Sequence, residues 1–226
     1  MSAVSKRGSL FDMLGGAGRR QEAAERMPAK WIVGEHFPLI PNKLIFTVHD
    51  HDFKITVKNK KGQQDFVHVT SDLCDHYVSL GHDTGPVNLM VTLKFFRLLD
   101  QKMKDLPEKS ALVFYSEASE QSITNNVYML ACYLVLRHGK TVNDALEPFK
   151  RFVRHGSVQD FGDAGTKVPA GAVLKITDVV GALDAAHSAG FWSEDSFDEQ
   201  KFAYWDHPLN GDLTQISPRL VVFKCP

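Results

Sequence analysis

The apolar and polar positions of this chain switch most clearly from one period to another between Ala111 and Gly139. Ala111-Leu-Val-Phe-Tyr115 carries no charge and is rich in β-branched and aromatic residues, which predicts a short central strand. The polar residues Ser116, Glu117, Ala118, Ser119, Glu120, Gln121 and Ser122 follow and read as a loop. Ile123, Val127, Leu130, Ala131, Leu134 and Val135 then recur at helical spacing. They predict a long helix to His138, with Gly139 closing it as the residue just past the cap.

The same reading places the other elements. Lys43 to Val48, Phe53 to Val57 and Phe66 to Val69 read as strands, with a turn at Lys58 to Gln64 between the last two. Asp83-Thr84-Gly85-Pro86 is a turn that feeds a helix from Val87 to about Met103, with proline in its first turn. Leu89, Leu93, Phe96 and Leu99 face inward on that helix, and Lys94, Arg97, Lys102 and Lys104 face outward. Thr141 caps a helix with Val142, Leu146, Phe149 and Val153 on its apolar side, and Thr177 caps another that ends at Gly190. Residues 155–171 form a glycine-rich loop around Phe161 and Val168, and 191–206 is aromatic and acidic. A turn at Asn210-Gly211-Asp212 leads to two short strands, 213–216 and 220–223, and no internal repeat is evident.

Residues 1–30 stand apart as an arm, and 31–226 form the domain. Within the arm, Leu10, Phe11, Met13 and Leu14 make an apolar knot between basic residues and the breakers Gly15, Gly16 and Gly18. Such a segment buries too little to order itself. It is either a free tail or a peptide that docks on a protein partner through those four residues.

With 226 residues, 43% of them hydrophobic, the chain is long enough for one well-buried α/β or α+β domain but cramped for two. Its net charge of −1 supplies no field that would gather nucleic acid or anionic lipid. No apolar run reaches the roughly 20 residues of a membrane helix, and the N-terminus has no secretory core, so an intracellular protein is expected. Three cysteines, Cys74, Cys132 and Cys225, are too scattered for disulfides or a zinc site. In His49-Asp50-His51-Asp52 the two imidazoles share a face, but two ligands do not make a metal site, and the segment reads as a polar turn. Neither metal nor cofactor is expected.

A strand that turns tightly into a helix N-terminus converges backbone N–H groups on one point, a common way to hold a phosphate. Cysteine-dependent phosphatases add a thiolate at the strand end and an arginine six positions later, one to attack phosphorus and one to grip its oxygens. Here Tyr115 stands in the nucleophile's place and Gln121 close to the arginine's, while Glu117 and Glu120 repel a dianion. The cysteines do not rescue the pattern. Arg137 is one residue too close to Cys132 and on the same predicted helix, Cys74 has no arginine at that spacing, and Cys225 precedes only Pro226. The loop therefore reads as a silent copy of a phosphate-binding loop, with no catalytic residue.

Several stretches in order resemble one family. They are Gly85-Pro86-Val87-Asn88-Leu89, Tyr115 to Asn126, Thr141 to Leu146, Phe161-Gly-Asp-Ala164, Gly190-Phe191-Trp192, Asn210-Gly211-Asp212-Leu213 and Ile216-Ser217-Pro218-Arg219-Leu220. Together they resemble the N-terminal half-domain of the cell-division-cycle-fourteen type dual-specificity protein phosphatases. The resemblance implies a dual-specificity or tyrosine phosphatase-like α/β fold, with a central mixed sheet of about four to five short strands flanked by helices and a degenerate P-loop. It also implies a half without catalytic residues that packs beside a catalytic half carrying the His-Cys-x5-Arg loop. In the family the pair forms an acidic groove for phosphoserine-proline substrates, to which Asp83 would contribute. The chain departs from the family at the Lys58 to Gln64 hairpin, at Gly162, and at Gln121 and Ser122.

Two functions follow as expectations. One is a pseudophosphatase module that binds or scaffolds proteins, for instance in a cytoskeletal or ciliary assembly. The other is the substrate-recognition half of a phosphatase whose catalytic domain lies beyond residue 226. By family analogy alone the compartments are cytoplasm, nucleus, centrosome or spindle, and cilium.

Overall fold

The structure is a computed structural model and describes residues 33–49, 65–70, 77, 83–162, 173–217 and 219–223. The arm with Leu10, Phe11, Met13 and Leu14, the expected strand at 53–57 with its turn, and Asp50 to Asp52 lie outside the described residues.

A four-stranded mixed sheet organises the domain. Its strands are β1 (Phe37–Ile40), β2 (Leu44–His49), β3 (Asp65–Val69) and β4 (Ser110–Glu117), in the order β1-β2-β4-β3. β1 runs antiparallel to β2, while β2 and β3 both run parallel to β4. β4 therefore lies between two strands, and that placement accounts for its continuous apolar run. Phe46 and Phe114 are register partners on one face. Phe95, Phe149 and Phe152 pack over that pair at ring-centroid distances of 5.3 to 5.7 Å. These side chains are fully buried, and they join the helices to the sheet.

The helices are α1 (Leu89–Lys104), α2 (Glu120–His138), α3 (Val142–Leu146), α4 (Lys150–Arg154), α5 (Ile176–Ser188) and α6 (Glu199–Trp205). α2 is buried from Ile123 to Val135 without a break, polar Thr124, Asn125 and Asn126 included, because α1, α3, α5 and β4 pack around it. Gly139, at φ 62°, ends it in the left-handed conformation expected of the residue past the cap. A second sheet is the hairpin β5 (Leu213–Ser217) and β6 (Leu220–Phe223).

Several boundaries differ from the sequence expectation. Pro86 lies before the cap of α1 rather than in its first turn, since the Asn88 side chain accepts from the Val91 N–H. Pro148 splits the helix expected after Thr141 into α3, a short 3-10 turn and α4. α5 starts two residues earlier than a Thr177 cap allows, with the Asp178 carboxylate accepting from the Lys175 N–H at 2.8 Å. β1 and α6 were not anticipated.

The aromatic, acidic stretch after α5 is tied to the helices by ions. Arg97 donates to Glu194 at 3.1 Å and also to Glu199, and Arg137 reaches Asp100 at 3.0 Å and Glu194. These side chains are partly exposed, so each pair contributes a fraction of a kcal/mol and salt weakens it. Glu194 joins two of them. Glu194→Ala is expected to lower the unfolding free energy by about 1 kcal/mol at low ionic strength, with the loss roughly halved in 1 M salt. Urea titrations at the two salt concentrations measure it, and an equal loss at both would show that packing, not charge, is what Glu194 supplies.

Candidate functional site

In a sheet of this kind the ground for a site lies beyond the carboxyl ends of the parallel strands. Here that edge is formed by the ends of β2 and β4, the start of α2, Tyr77, and the segment 83–88. The polar stretch after Tyr115 is shorter as a loop than its sequence suggests. Ser116 and Glu117 continue β4 in register with Val48 and His49, and Glu120, Gln121 and Ser122 are already helix. Only Ala118 and Ser119 connect the two elements. Ser119 is the N-cap, its hydroxyl accepting from the Ser122 N–H at 3.1 Å and its carbonyl from the Ile123 N–H at 2.9 Å.

Each expected site residue among the described ones has a place. The Tyr115 ring sits edge-on to His49 at 6.1 Å, and the Tyr115 carbonyl accepts from the Thr70 hydroxyl at 3.1 Å. Ser116 is buried; its hydroxyl donates to the Glu117 carbonyl and accepts from the Asn126 amide at 2.9 Å. The Gln121 amide donates to the Tyr77 carbonyl at 3.1 Å. Ala118 is buried, and Glu117 and Glu120 are half-buried. The Asp83 carboxylate accepts from the Tyr77 hydroxyl, and burial, followed by that carboxylate, pushes the Tyr77 phenol well above its ordinary range.

The residues that knit this edge together are two that sequence reasoning passed over. Asn125, fully buried, accepts from the Val87 N–H at 2.9 Å and donates to the carbonyls of Thr84 at 2.7 Å and Gln121 at 3.1 Å. Asn126 bonds Ser116 from the next position. Together the two amides lock the helix start to both β4 and the segment before α1. Gly85 makes the close approach possible: its φ is 132°, and a Cβ there would lie 2.4 Å from the Asn125 Oδ1. Two adjacent asparagines within a segment whose spacing predicts a helix were the available signal, since asparagine is a poor helix former that is found there when it bonds.

The one cysteine among the described residues, Cys132, is buried within α2. Burial pushes its thiol far above the ordinary range. A thiol of that kind is neither nucleophile nor metal ligand. Among the described residues no group of three or more histidine, cysteine or acidic side chains is placed to hold a metal, and no helix is long and apolar enough to cross a membrane.

Comparison with known proteins is consistent with this architecture. The family described as the N-terminal half of dual specificity protein phosphatases matches residues 38–186. The chain is 27% identical over 195 residues to the tyrosine-protein phosphatase CDC14 of Candida albicans, covering 84% of this chain and 34% of that protein. It is 30% identical over 152 residues to the CDC14 of Saccharomyces cerevisiae, covering 66% and 27%. With the tyrosine-protein phosphatase cdc-14 of Caenorhabditis elegans the figures are 25% over 199 residues, 83% and 27%. The chain thus spans about a third or less of the length of these relatives. The match over most of the described sheet and helices, with relatives of one kind across fungi and an animal, shows that the chain belongs to the CDC14-type N-terminal half of the dual specificity protein phosphatases.

Proposed function

We propose that this chain is a catalytically silent phosphatase fold that acts by binding protein, as the non-catalytic half that accompanies a phosphatase catalytic half. The observation that carries the reading is the polar knot at the strand–helix connection. By sequence position Tyr115 and Gln121 stand where thiolate and guanidinium would be, Gln121 is spent on the Tyr77 carbonyl, Ser116 and Asn126 bond each other, and Asn125 bonds Val87, Thr84 and Gln121. The Ser119 hydroxyl takes the Ser122 N–H, one of the first-turn amides that a phosphate would use. A phenol is a weaker nucleophile toward phosphorus than a thiolate, and an uncharged amide cannot neutralise a phosphoryl dianion. The arrangement persists as a shape. Among the described residues this edge carries the acidic side chains Asp83, Glu117 and Glu120, which suit a basic protein segment better than a phosphate.

Purified chain is expected to hydrolyse p-nitrophenyl phosphate no faster than buffer, with Tyr115→Phe indistinguishable from the parent. Calorimetric titration with phosphoserine-proline peptides is expected to show no heat of binding to the chain alone. Iodoacetamide should leave Cys132 unlabelled in native protein and label it in urea, as read by peptide mass spectrometry. Turnover that Tyr115→Phe removes would end the silent reading.

A further inference from the structure

Two turns of one form stand side by side at the end of the sheet where β2 and β4 begin. In the first, the Lys43 N–H donates to the Ile40 carbonyl at 3.0 Å, and the third residue, Asn42, has φ 57°. In the second, the Ser110 N–H donates to the Pro107 carbonyl at 3.1 Å, and the third residue, Lys109, has φ 66°. The Leu112 N–H donates to the Lys43 carbonyl at 2.8 Å and ties the two turns together. The third place in such a turn takes the left-handed conformation, which glycine and asparagine adopt readily. A lysine there is strained through its Cβ. Nothing inside the fold offsets that strain, because Lys109 is exposed and its side chain has no hydrogen bond or ion pair among the described residues. Backbone strain of this kind concentrates where a side chain serves a ligand.

With the end of α1, the two turns enclose a cavity of about 520 Å³. That is an ordinary size for a small-molecule site. Lys43, Lys104 and Lys109 line it beside a single carboxylate, Glu108, among the described residues. None of the three lysines is ion-paired among those residues. Lys104 also complements the carbonyl end of α1, a task that Lys109 does not share. Met103 and Leu106, half-buried against the core, give the lining an apolar part. The two ends of the sheet therefore differ in charge, with carboxylates beyond the ends of β2 and β4 and lysines before their starts.

We propose that this cavity binds an organic polyphosphate, its phosphates on Lys43, Lys104 and Lys109 and its apolar or planar body against Met103 and Leu106. Lysine is a compact charge on a flexible stem and meets phosphate oxygens in several arrangements. Three lysines beside one glutamate leave an excess of positive charge, which suits an anion of more than one charge. The Met103 thioether adapts its shape and makes favourable contacts with a ring. A nucleoside triphosphate has both parts and serves as the probe.

Calorimetric titration of the full 226-residue chain with ATP in magnesium-free buffer is expected to show one site, saturating below about 1 mM. Tripolyphosphate, which lacks the body, should bind at least about fivefold more weakly, and adenosine, which lacks the charge, should not saturate. Hydrogen exchange at 107–110 should slow when ATP is bound. Lys109→Gly is the sharpest variant. It relieves the left-handed strain, so the thermal midpoint of the free chain should hold or rise while the affinity for ATP falls at least about tenfold. Lys94→Gln, on the exposed side of α1 and outside the cavity, should change the affinity by less than about twofold. No saturable binding of ATP, an affinity unmoved by Lys109→Gly, or an equal loss in Lys94→Gln would overturn the proposal. So would tripolyphosphate binding as tightly as ATP, which would leave a site for plain phosphate. The cavity lies at the opposite end of the sheet from Ala118 and Ser119, so none of these outcomes touches the silent reading, which aryl phosphate turnover by the chain alone decides.

Discussion

Gly85→Ala is expected to destabilise the domain by about 3–5 kcal/mol, the sum of backbone strain and of hydrogen bonds lost when Asn125 is displaced. Its φ of 132° belongs to a region that residues with a Cβ rarely adopt, and the added carbon would sit 2.4 Å from the Asn125 Oδ1 and 3.0 Å from its Nδ2. Neither side can yield cheaply. Asn125 is fully buried and held by Val87, Thr84 and Gln121, so moving it strands several polar groups. At this size the loss corresponds to roughly 10 °C or more in the thermal midpoint. Gly34→Ala is the control: its φ is 77°, but nothing lies within 4 Å of the added carbon, and about 1–2 kcal/mol of left-handed strain is all it should cost. The Asn125→Ala, Gly85→Ala double variant should lose less than the sum of the two single variants, because the truncated side chain no longer opposes the new methyl. Strict additivity in urea unfolding would show that the two residues do not meet in the folded state.

The strand and helix around Tyr115 were legible in the sequence, and so was the left-handed stop at Gly139. Buried parallel strands and glycine caps are local signals that tertiary contacts reinforce. The connection between them was not legible at its true length. Glu120, Gln121 and Ser122 are polar because they form the half-exposed first turn of α2, and a polar first turn looks the same in sequence as a loop. The Ser119 cap was the available clue, since a serine before a glutamate opens many helices.

Asn125 and Asn126 were missed for a different reason. Periodicity separates apolar from polar faces, and α2 has no polar face over most of its length, so a buried asparagine is indistinguishable there from a surface one. β1 escaped because Pro38 and a bulge interrupt its four residues. α6 escaped because its cap, Asp198, accepts from the Lys201 N–H within a stretch whose acidity suggested only a surface.

Asn125→Asp probes the knot with a nearly isosteric side chain. One oxygen keeps the Val87 N–H as its donor, but the other now faces the carbonyls of Thr84 and Gln121, which Asn125 serves as a donor. As a carboxylate the new side chain meets two acceptors in a site with no exposure. As a carboxylic acid it can donate to one of them. Burial and the facing carbonyls both favour the protonated form, so the folded state raises the group's pKa above the unfolded value of about 3.9. A raised acid in the folded state means the native protein binds the extra proton, and stability relative to the parent falls as pH rises between the two values. The variant should therefore lose about 3–4 kcal/mol at pH 7.5 but less than about 1–2 kcal/mol at pH 4.5. Urea unfolding of variant and parent side by side at the two pH values measures the difference. A deficit independent of pH would mean that the amide donates to neither carbonyl. The lock between α2 and the segment before α1 would then rest on the Val87 bond alone.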